Sequence, residues 1–527
     1  MNKTLSLIRF AIVAVLVIVQ LPLSAASPYG FILIDGIFYD IVNDHAEVTY
    51  KMYDHSYYSG DIVIPEEITY YDTTYPVTTI GTNAFFTGSS ASSSVTSVTI
   101  PNSVTTIQND AFNGCCGLTE LILPEGVTYI GPRAFSRCSG LTQFSVPDGV
   151  TAIPEATFQG CSRLADIHIG NSVATIGRSA FSSCKALTSI TIPESVSWIG
   201  KWAFEYCYGI NTLYYNAISC RDTTWQDAYF NAFTDCPLVN IVFGDHVQHI
   251  PAYLAKGQAR LKYVTIPNSV TLIGEDAFKE SGLMNLALPD SLITIQNSAF
   301  ENCTGLTKIT IPDCVTTIGD NAFKNCVRAE HLDIGNSVTA IGDYAFGSCS
   351  GLTNLILSNS VATIGNYAFS GCSQLVRATI GSSVTSIGEI AFQSCSQLTD
   401  ITCLATTPPS VTDGLFDVMD YYSHAELHVP QESFEAYRTA FHWENFHTIV
   451  GDVVPYIETP IDVNGDGEIT VADANSVVVI IINGGEGGHS RVPNPEGDGW
   501  IYIGDVNIDG EVNIADYNAL INFILQH

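Results

Sequence analysis

A unit of about 23 residues recurs along most of this chain, and it restricts the fold more than any other feature. Residues 100–107 read IPNSVTTI and residues 266–273 read IPNSVTLI. Ala-Phe follows in each case, and most units have Cys three residues after the Phe. One position is Phe in thirteen units and Ala in a fourteenth: Phe85, Phe112, Phe135, Phe158, Phe181, Phe204, Phe233, Ala255, Phe278, Phe300, Phe323, Phe346, Phe369 and Phe392. Such a period is typical of a solenoid whose stacked units share one core.

The first half of a unit has the pattern of a short strand. Ile190 and Ile192 alternate with Thr191, so the two isoleucines are predicted to face inward and the threonine outward. Pro193 then ends the strand, because proline cannot donate a ladder hydrogen bond.

The second half returns toward the next unit. Ala203 and Phe204 are predicted to point into the core, and Gly200 is predicted to hold a turn that needs an unusual backbone angle. The unit at 204–233 is longer than its neighbours because of a six-residue insertion around Cys220 to Trp225.

This repeat resembles the bacterial leucine-rich repeats of the BspA-like surface-protein family, over about residues 77–405. The resemblance implies a β-rich solenoid of about fourteen units and a surface or secreted protein of the adhesin or interaction class. It does not name a ligand.

Both ends of the array carry signals of a cap, which a solenoid needs to cover its open faces. Phe31–Ile34 and Ile37–Tyr39 flank Asp35-Gly36, which is a hairpin signal with a two-residue turn. After Cys403 the period fails, and a helix is predicted from Glu432 to Phe441. The predicted organisation is a signal peptide at 1–26, an N-terminal β cap at 27–76, the solenoid at 77–403, a C-terminal cap at 404–451 and a separate module at 452–527.

Eleven of the fifteen cysteines occupy one repeat position: Cys115, Cys138, Cys161, Cys184, Cys207, Cys236, Cys303, Cys326, Cys349, Cys372 and Cys395. We interpret them as a ladder of buried thiols that act as small apolar side chains. Occasional disulfides between stacked neighbours, or metal binding, are the alternatives. Gly347–Gly351 mimics a nucleophile elbow, but its Cys349 belongs to the same core position.

The last 76 residues contain two twelve-residue loops that begin at Asp462 and Asp505. Each has oxygen-bearing side chains at positions 1, 3, 5, 9 and 12 and Gly at position 6, which is the spacing that a Ca²⁺ loop needs. Each loop runs into an apolar helical segment. Residues 452–527 hold thirteen acidic side chains and one Arg, a local charge density that also favours a cation.

The paired loops are similar to a dockerin of type I, a small all-α, paired EF-hand-type module that attaches proteins to cohesin domains. The resemblance implies two Ca²⁺ sites with these ligands: Asp462, Asn464, Asp466, Glu468, Thr470, Asp473, Asp505, Asn507, Asp509, Glu511, Asn513 and Asp516. It also implies that positions 10 and 11 help to choose the partner: Val471, Ala472, Ile514 and Ala515. The Gly-rich stretch between the loops is long for this family, so a calcium-stabilised domain that binds no cohesin is the alternative.

The N-terminus and the overall charge indicate where the protein acts. Lys3 and Arg9 precede an apolar run from Ala11 to Val19 and small residues up to Ala26, which predicts a signal peptide cleaved after Ala26. The alternative is an uncleaved anchor, and we expect no transmembrane anchor after cleavage. A formal net charge of −33 argues against nucleic acid as a partner. We therefore expect a secreted or cell-surface protein.

The expected function is non-catalytic binding of a protein or glycan, with a host or extracellular-matrix protein and a cohesin as candidate protein partners. The expected binding face consists of the outward strand positions, among them Asp166, His168, Thr188, Thr191, Tyr214, Tyr263, Lys308, Thr310, His331, Asp333 and Arg377. A structural spacer is the alternative. A carbohydrate-active enzyme component is a third hypothesis, for which the assigned segments leave no separate catalytic domain.

Overall fold

The computed structural model describes residues 31–50, 58–87, 95–218, 220, 232–412, 414–416, 422 and 424–453. It also describes the backbone of short strands at 25–26, 491–493 and 500–502. Most of the predicted signal peptide, most of the insertion near Cys220, all twelve predicted calcium ligands and the four partner-selecting residues of the tail lie outside the described residues.

Seven strands precede the regular coils: β1 Ala25–Ala26, β2 Ile32–Ile34, β3 Ile37–Val42, β4 His45–Thr49, β5 Gly60–Val63, β6 Glu67–Tyr70 and β7 Thr73–Ile80. The predicted hairpin is confirmed, because Ile34 pairs with Ile37 across Asp35 and Gly36 in an antiparallel ladder. Both turn residues have positive φ, 52° and 83°, as a tight hairpin turn requires. β4 then pairs with β7 in parallel, which starts the solenoid.

Most coils contribute one strand to a parallel stack that we call the strand face. Its strands are β5, β8 Val95–Thr99, β11 Gln143–Ser145, β13 Asp166–His168, β15 Ser189–Ile192, β17 Thr212–Tyr215, β18 Asn240–Phe243, β20 Tyr263–Thr265, β23 Lys308–Thr310, β25 His331–Asp333, β27 Asn354–Ile356, β29 Arg377–Ile380, β31 Asp400–Cys403, β33 Glu426–Pro430 and β34 Thr448–Val453. The predicted alternation is confirmed, since Ile190 and Ile192 are buried and Thr191 is exposed.

A second parallel stack, which we call the return face, uses two-residue strands. These are β9 Thr106–Ile107, β10 Tyr129–Ile130, β12 Ala152–Ile153, β14 Thr175–Ile176, β16 Trp198–Ile199, β19 His249–Ile250, β21 Leu272–Ile273, β22 Thr294–Ile295, β24 Thr317–Ile318, β26 Ala340–Ile341, β28 Thr363–Ile364, β30 Ser386–Ile387 and β32 Ser410–Val411. From β19 to β32 this ladder is continuous, and its second residue, Ile or Val, is buried in every strand.

The repeated Phe position forms the centre of the core, as the sequence predicts. Ring centroids of neighbouring coils lie 5.0–5.6 Å apart in two stacks, from Phe85 to Phe233 and from Phe278 to Phe392. Ala255 separates the stacks and is fully buried. Its backbone N–H donates to the next coil at 2.8 Å, as the Phe residues do, so the register continues through the substitution.

The prediction for Gly200 is wrong, because its backbone is not left-handed. Instead, a Cβ at Gly200 would lie 2.6 Å from the backbone nitrogen of Arg178 in the preceding coil. Glycine is needed there because two coils approach closely. The left-handed residues stand two positions before and after the Phe: Trp202 has φ of 60° and Tyr206 has φ of 58°. Side chains other than glycine occupy many of these positions, at a local cost in free energy.

The parallel stacks extend beyond Cys403, although the sequence period fails there. β32 pairs with β30, and β33 and β34 prolong the strand face. The backbone N–H of Phe392 donates to Leu415, which places Phe416 in the repeated Phe position of one more coil. Leu415 stands where most earlier coils have Ala. The structural repeat therefore continues here, although its sequence pattern has changed.

The C-terminal cap closes this end with one short helix and two 3-10 turns. The helix predicted at Glu432 to Phe441 is observed as a 3-10 turn at Gln431–Ser433 followed by α1 at Phe434–Thr439, and a second 3-10 turn covers Trp443–Asn445. Trp443 is fully buried, and its indole N–H donates to the carbonyl of Pro409 at 2.8 Å.

The final segment contains one described strand pair, β35 Arg491–Pro493 with β36 Trp500–Tyr502, joined antiparallel. This strand pair lies in the spacer between the two predicted calcium loops. The all-α prediction for the tail included no strand there. Val492, Ile501 and the aromatic residues beside it are types that favour strands.

Candidate functional site

The strand face presents two columns of exposed side chains along the array. In register, Gln143 pairs with Asp166, and Ser145 pairs with His168. The predicted face residues Asp166, His168, Thr188, Thr191, Tyr214, Tyr263, Lys308, Thr310, His331, Asp333 and Arg377 are all exposed here. Their outward orientation is therefore confirmed, whereas their role in binding stays a prediction.

An aromatic patch lies near the middle of this face. Tyr214 and Tyr263 expose 44% and 59% of their surface, and Val242, on the strand between them, exposes 37%. The three residues belong to β17, β18 and β20, which are paired in succession. Exposed rings on a paired sheet offer a rigid apolar surface for contact with a ligand.

In the C-terminal half of the strand face, exposed charged side chains pair with one another. Lys308 Nζ lies 2.9 Å from an Asp333 carboxylate oxygen, and the guanidinium of Arg377 lies 3.8 Å from the carboxylate of Asp400. Because these charges are already paired across neighbouring strands, Lys308, Asp333 and Arg377 have less to offer a ligand than unpaired groups.

Asp166 and His168 differ, because neither makes a side-chain hydrogen bond or ion pair within the described residues. They lie between two adjoining depressions that we call the acidic groove. The first has a volume of about 610 Å³ and is lined by the segments 120–125 and 143–149. The second lies on the other side of β13, against Thr191, Pro193, Glu194 and Asn216.

The groove opens where the strand face is interrupted. β11 and β13 form an isolated pair, and β13 does not pair with β15. The preceding coil contributes no strand between β8 and β11, and residues 120–123 make no backbone hydrogen bond within the described part of the chain. Residues 284–288, in a later coil without a strand, likewise make none among the described residues.

Four carboxylates that line this groove were not predicted as site residues from the sequence: Glu120, Glu125, Asp148 and Glu194. One signal could have identified three of them, because Glu125, Asp148 and Glu194 each follow the proline that ends the strand segment. Acids at that position in three of four successive coils, with Asn171 in the other, bring like charges to one side of the face.

The eleven cysteines at the repeated position are buried and cannot reach a substrate. All eleven thiols are buried, and each Sγ donates to the carbonyl of the Phe in the preceding coil, at 3.0–3.5 Å. Gln258 replaces Cys in one coil, and its side-chain amide donates to the carbonyl of Phe233 at 2.9 Å. The position therefore serves as a buried donor between coils, and Cys349 is one member of it.

We expect these thiols to be reduced and inert in solution. Burial raises the pKa of the Cys161 thiol to about 12 and that of Cys303 to about 11, so the reactive thiolate is scarce at neutral pH. Alkylation of the native protein followed by mass spectrometry should label the exposed Cys314 and leave the eleven ladder thiols unlabelled until denaturation. Ordered disulfides among most of the eleven would contradict this interpretation.

No cluster of three or more His, Cys, Asp or Glu that could hold a metal ion occurs among the described residues. The predicted calcium ligands lie outside them. Within the same part of the chain, no helix is long and apolar enough to span a membrane.

Comparisons with known proteins give consistent matches to one kind of repeat. The family described as "BspA type Leucine rich repeat region" matches residues 78–211, 226–353 and 316–442. A search among curated proteins gives no match.

Among solved structures, a leucine-rich repeat protein from Bacteroides ovatus is 27% identical, covers 70% of this chain and 94% of its own, and has a TM-score of 0.47. A leucine-rich cell surface protein from Faecalibacterium prausnitzii is 25% identical, with coverage of 72% and 96% and a TM-score of 0.32. The pneumococcal vaccine antigen PcpA is 16% identical, with coverage of 82% and 100% and a TM-score of 0.30.

Proposed function

The chain belongs to the BspA-type leucine-rich-repeat family, and on that premise we propose that it is a non-catalytic binding protein, secreted or held at the cell surface. The observation that carries the proposal is the strand face, where a rigid stack of coils presents exposed side chains in register. A preorganised surface of this kind loses little conformational entropy on binding, which favours affinity.

The ligand class that fits this face is a protein or a glycan. The patch of Tyr214, Val242 and Tyr263 supplies apolar contact area, and large exposed aromatic groups are frequent anchors in binding interfaces. Thr191 and Thr265 beside the patch add hydroxyl groups that can donate or accept hydrogen bonds. A host or extracellular-matrix protein is the protein partner that a surface location would bring to this face.

The test is retention of the purified full-length chain on a panel of extracellular-matrix proteins and glycans. For a ligand that is retained, Tyr214→Ala combined with Tyr263→Ala should weaken binding by about tenfold or more. The matched control is Tyr129→Ala combined with Trp198→Ala, which removes two exposed aromatic rings from the return face and should leave binding unchanged. No retention by any ligand would favour a structural spacer, and turnover of a glycan would favour an enzyme component.

The tail is proposed to attach or assemble the protein in a calcium-dependent way. The carboxylate and amide oxygens of the loops at 462–473 and 505–516 suit two Ca²⁺ ions, because this hard cation prefers oxygen ligands. In a dockerin-like tail, Val471, Ala472, Ile514 and Ala515 would contact a cohesin domain. If the tail binds Ca²⁺ but captures no cohesin, it is a calcium-stabilised domain without a docking role.

A further inference from the structure

The acidic groove combines an open depression, an exposed apolar side chain and several carboxylates on the strand face. Residues 120–123 border a depression that the next two coils also line. Ile122 exposes 73% of its surface at the same edge. An extended chain lying across these coils could contact Ile122 and the carboxylates around it.

Charge determines which chain would fit. Glu120, Glu125, Asp148, Asp166 and Glu194 line the groove, and within the described lining there is no Lys or Arg. Asp148 accepts a hydrogen bond from the backbone of Asn171, and Glu194 lies 2.9 Å from the His246 ring. Asp166 and Glu125 have no side-chain partner among the described residues. The groove is therefore complementary to positive charge.

Building on the proposed binding function, we propose that the acidic groove is a docking site for an extended peptide segment of a partner protein, rich in Lys or Arg alternating with apolar residues. Ile122 contacts the apolar side chains of the peptide, and the carboxylates pair with its cationic groups. A neutral glycan suits this groove less well, because among the described lining residues Phe144 is the one aromatic residue and it is buried.

The test uses the full-length protein and a fluorescent ten-residue peptide of alternating Arg and Val, with a Ser-Val peptide and a Glu-Val peptide of the same length for comparison. Fluorescence anisotropy should show saturable binding of the Arg-Val peptide alone, weakened by added salt. The groove variant combines Glu120→Gln, Glu125→Gln and Asp166→Asn. We expect it to bind the Arg-Val peptide about tenfold or more weakly.

The matched control combines Asp245→Asn, Asp290→Asn and Glu330→Gln, which removes three exposed acids outside the groove. Asp290 follows the strand-ending Pro289 as Glu125 follows Pro124, so it matches one groove residue in repeat position. Unchanged affinity in this control supports the groove. An equal loss of peptide affinity in both variants would show that binding depends on the overall net charge of −33 and would overturn the proposal.

Two further outcomes separate this proposal from the binding function on which it rests. If the peptide does not bind but a panel ligand is retained through Tyr214 and Tyr263, the groove proposal fails and the binding function stands. If a neutral glycan binds the wild type and is lost in the groove variant, the groove is a glycan site and the peptide assignment is overturned.

Discussion

Replacing Phe323 by alanine is expected to lower the free energy of unfolding of the array by about 3–5 kcal/mol. The ring is fully buried, with centroids 5.1 Å from Phe300 and 5.5 Å from Phe346. The coils on either side are held by backbone hydrogen bonds, such as that from Phe323 to Ala345 at 2.8 Å, so they cannot collapse into the space. Denaturant unfolding followed by circular dichroism measures the loss.

The control is Phe441→Ala, because this ring is 71% exposed and its removal creates no cavity. We expect a loss below about 1 kcal/mol for this variant. If Phe323→Ala costs as little as the control in a protein that unfolds cooperatively, the assigned repeat register is wrong.

Removing calcium is expected to unfold the tail while the array stays folded. Each predicted loop gathers several carboxylates around one point, and without a cation their repulsion is not compensated. Because Ca²⁺ would bind the folded form alone, it should stabilise that form. The isolated segment 460–527 should gain helical circular dichroism on addition of Ca²⁺ and lose it on addition of chelator, and calorimetry should count two sites.

Asp466→Ala combined with Asp509→Ala should abolish this response, because both residues occupy position 5 of their loops. Glu486→Ala combined with Glu496→Ala removes two acids from the spacer and should leave the response intact. A segment that is equally folded in chelator, or that binds no Ca²⁺ at millimolar concentration, would contradict the dockerin-like interpretation.

The features that the sequence predicted correctly are those that most coils repeat. The inward Ile190 and Ile192, the buried Phe positions and the buried cysteines each recur many times, so their alternation and period are unambiguous. The role of Gly200 was not predictable, since a recurrent glycine can serve either a left-handed angle or a close backbone approach. Only the distance to the preceding coil distinguishes the two.

The extra coil and the groove were not predictable for different reasons. Leu415-Phe416 replaces Ala-Phe, so the last coil does not match the period although its backbone keeps the register. Residues 120–123 read like the strand segments around them, and the lack of pairing there depends on how neighbouring coils meet. The groove carboxylates come from successive coils and are adjacent only after stacking.

The continuous ladder of the return face has a consequence for how this protein changes over generations. Each joint between coils uses nearly the same amides, carbonyls and thiol, so the joint left by deleting or duplicating one coil resembles the joints already present. The face can therefore grow or shrink in fixed steps of one strand spacing, about 4.8 Å. Duplication within the gene would therefore lengthen the molecule in steps of one whole coil.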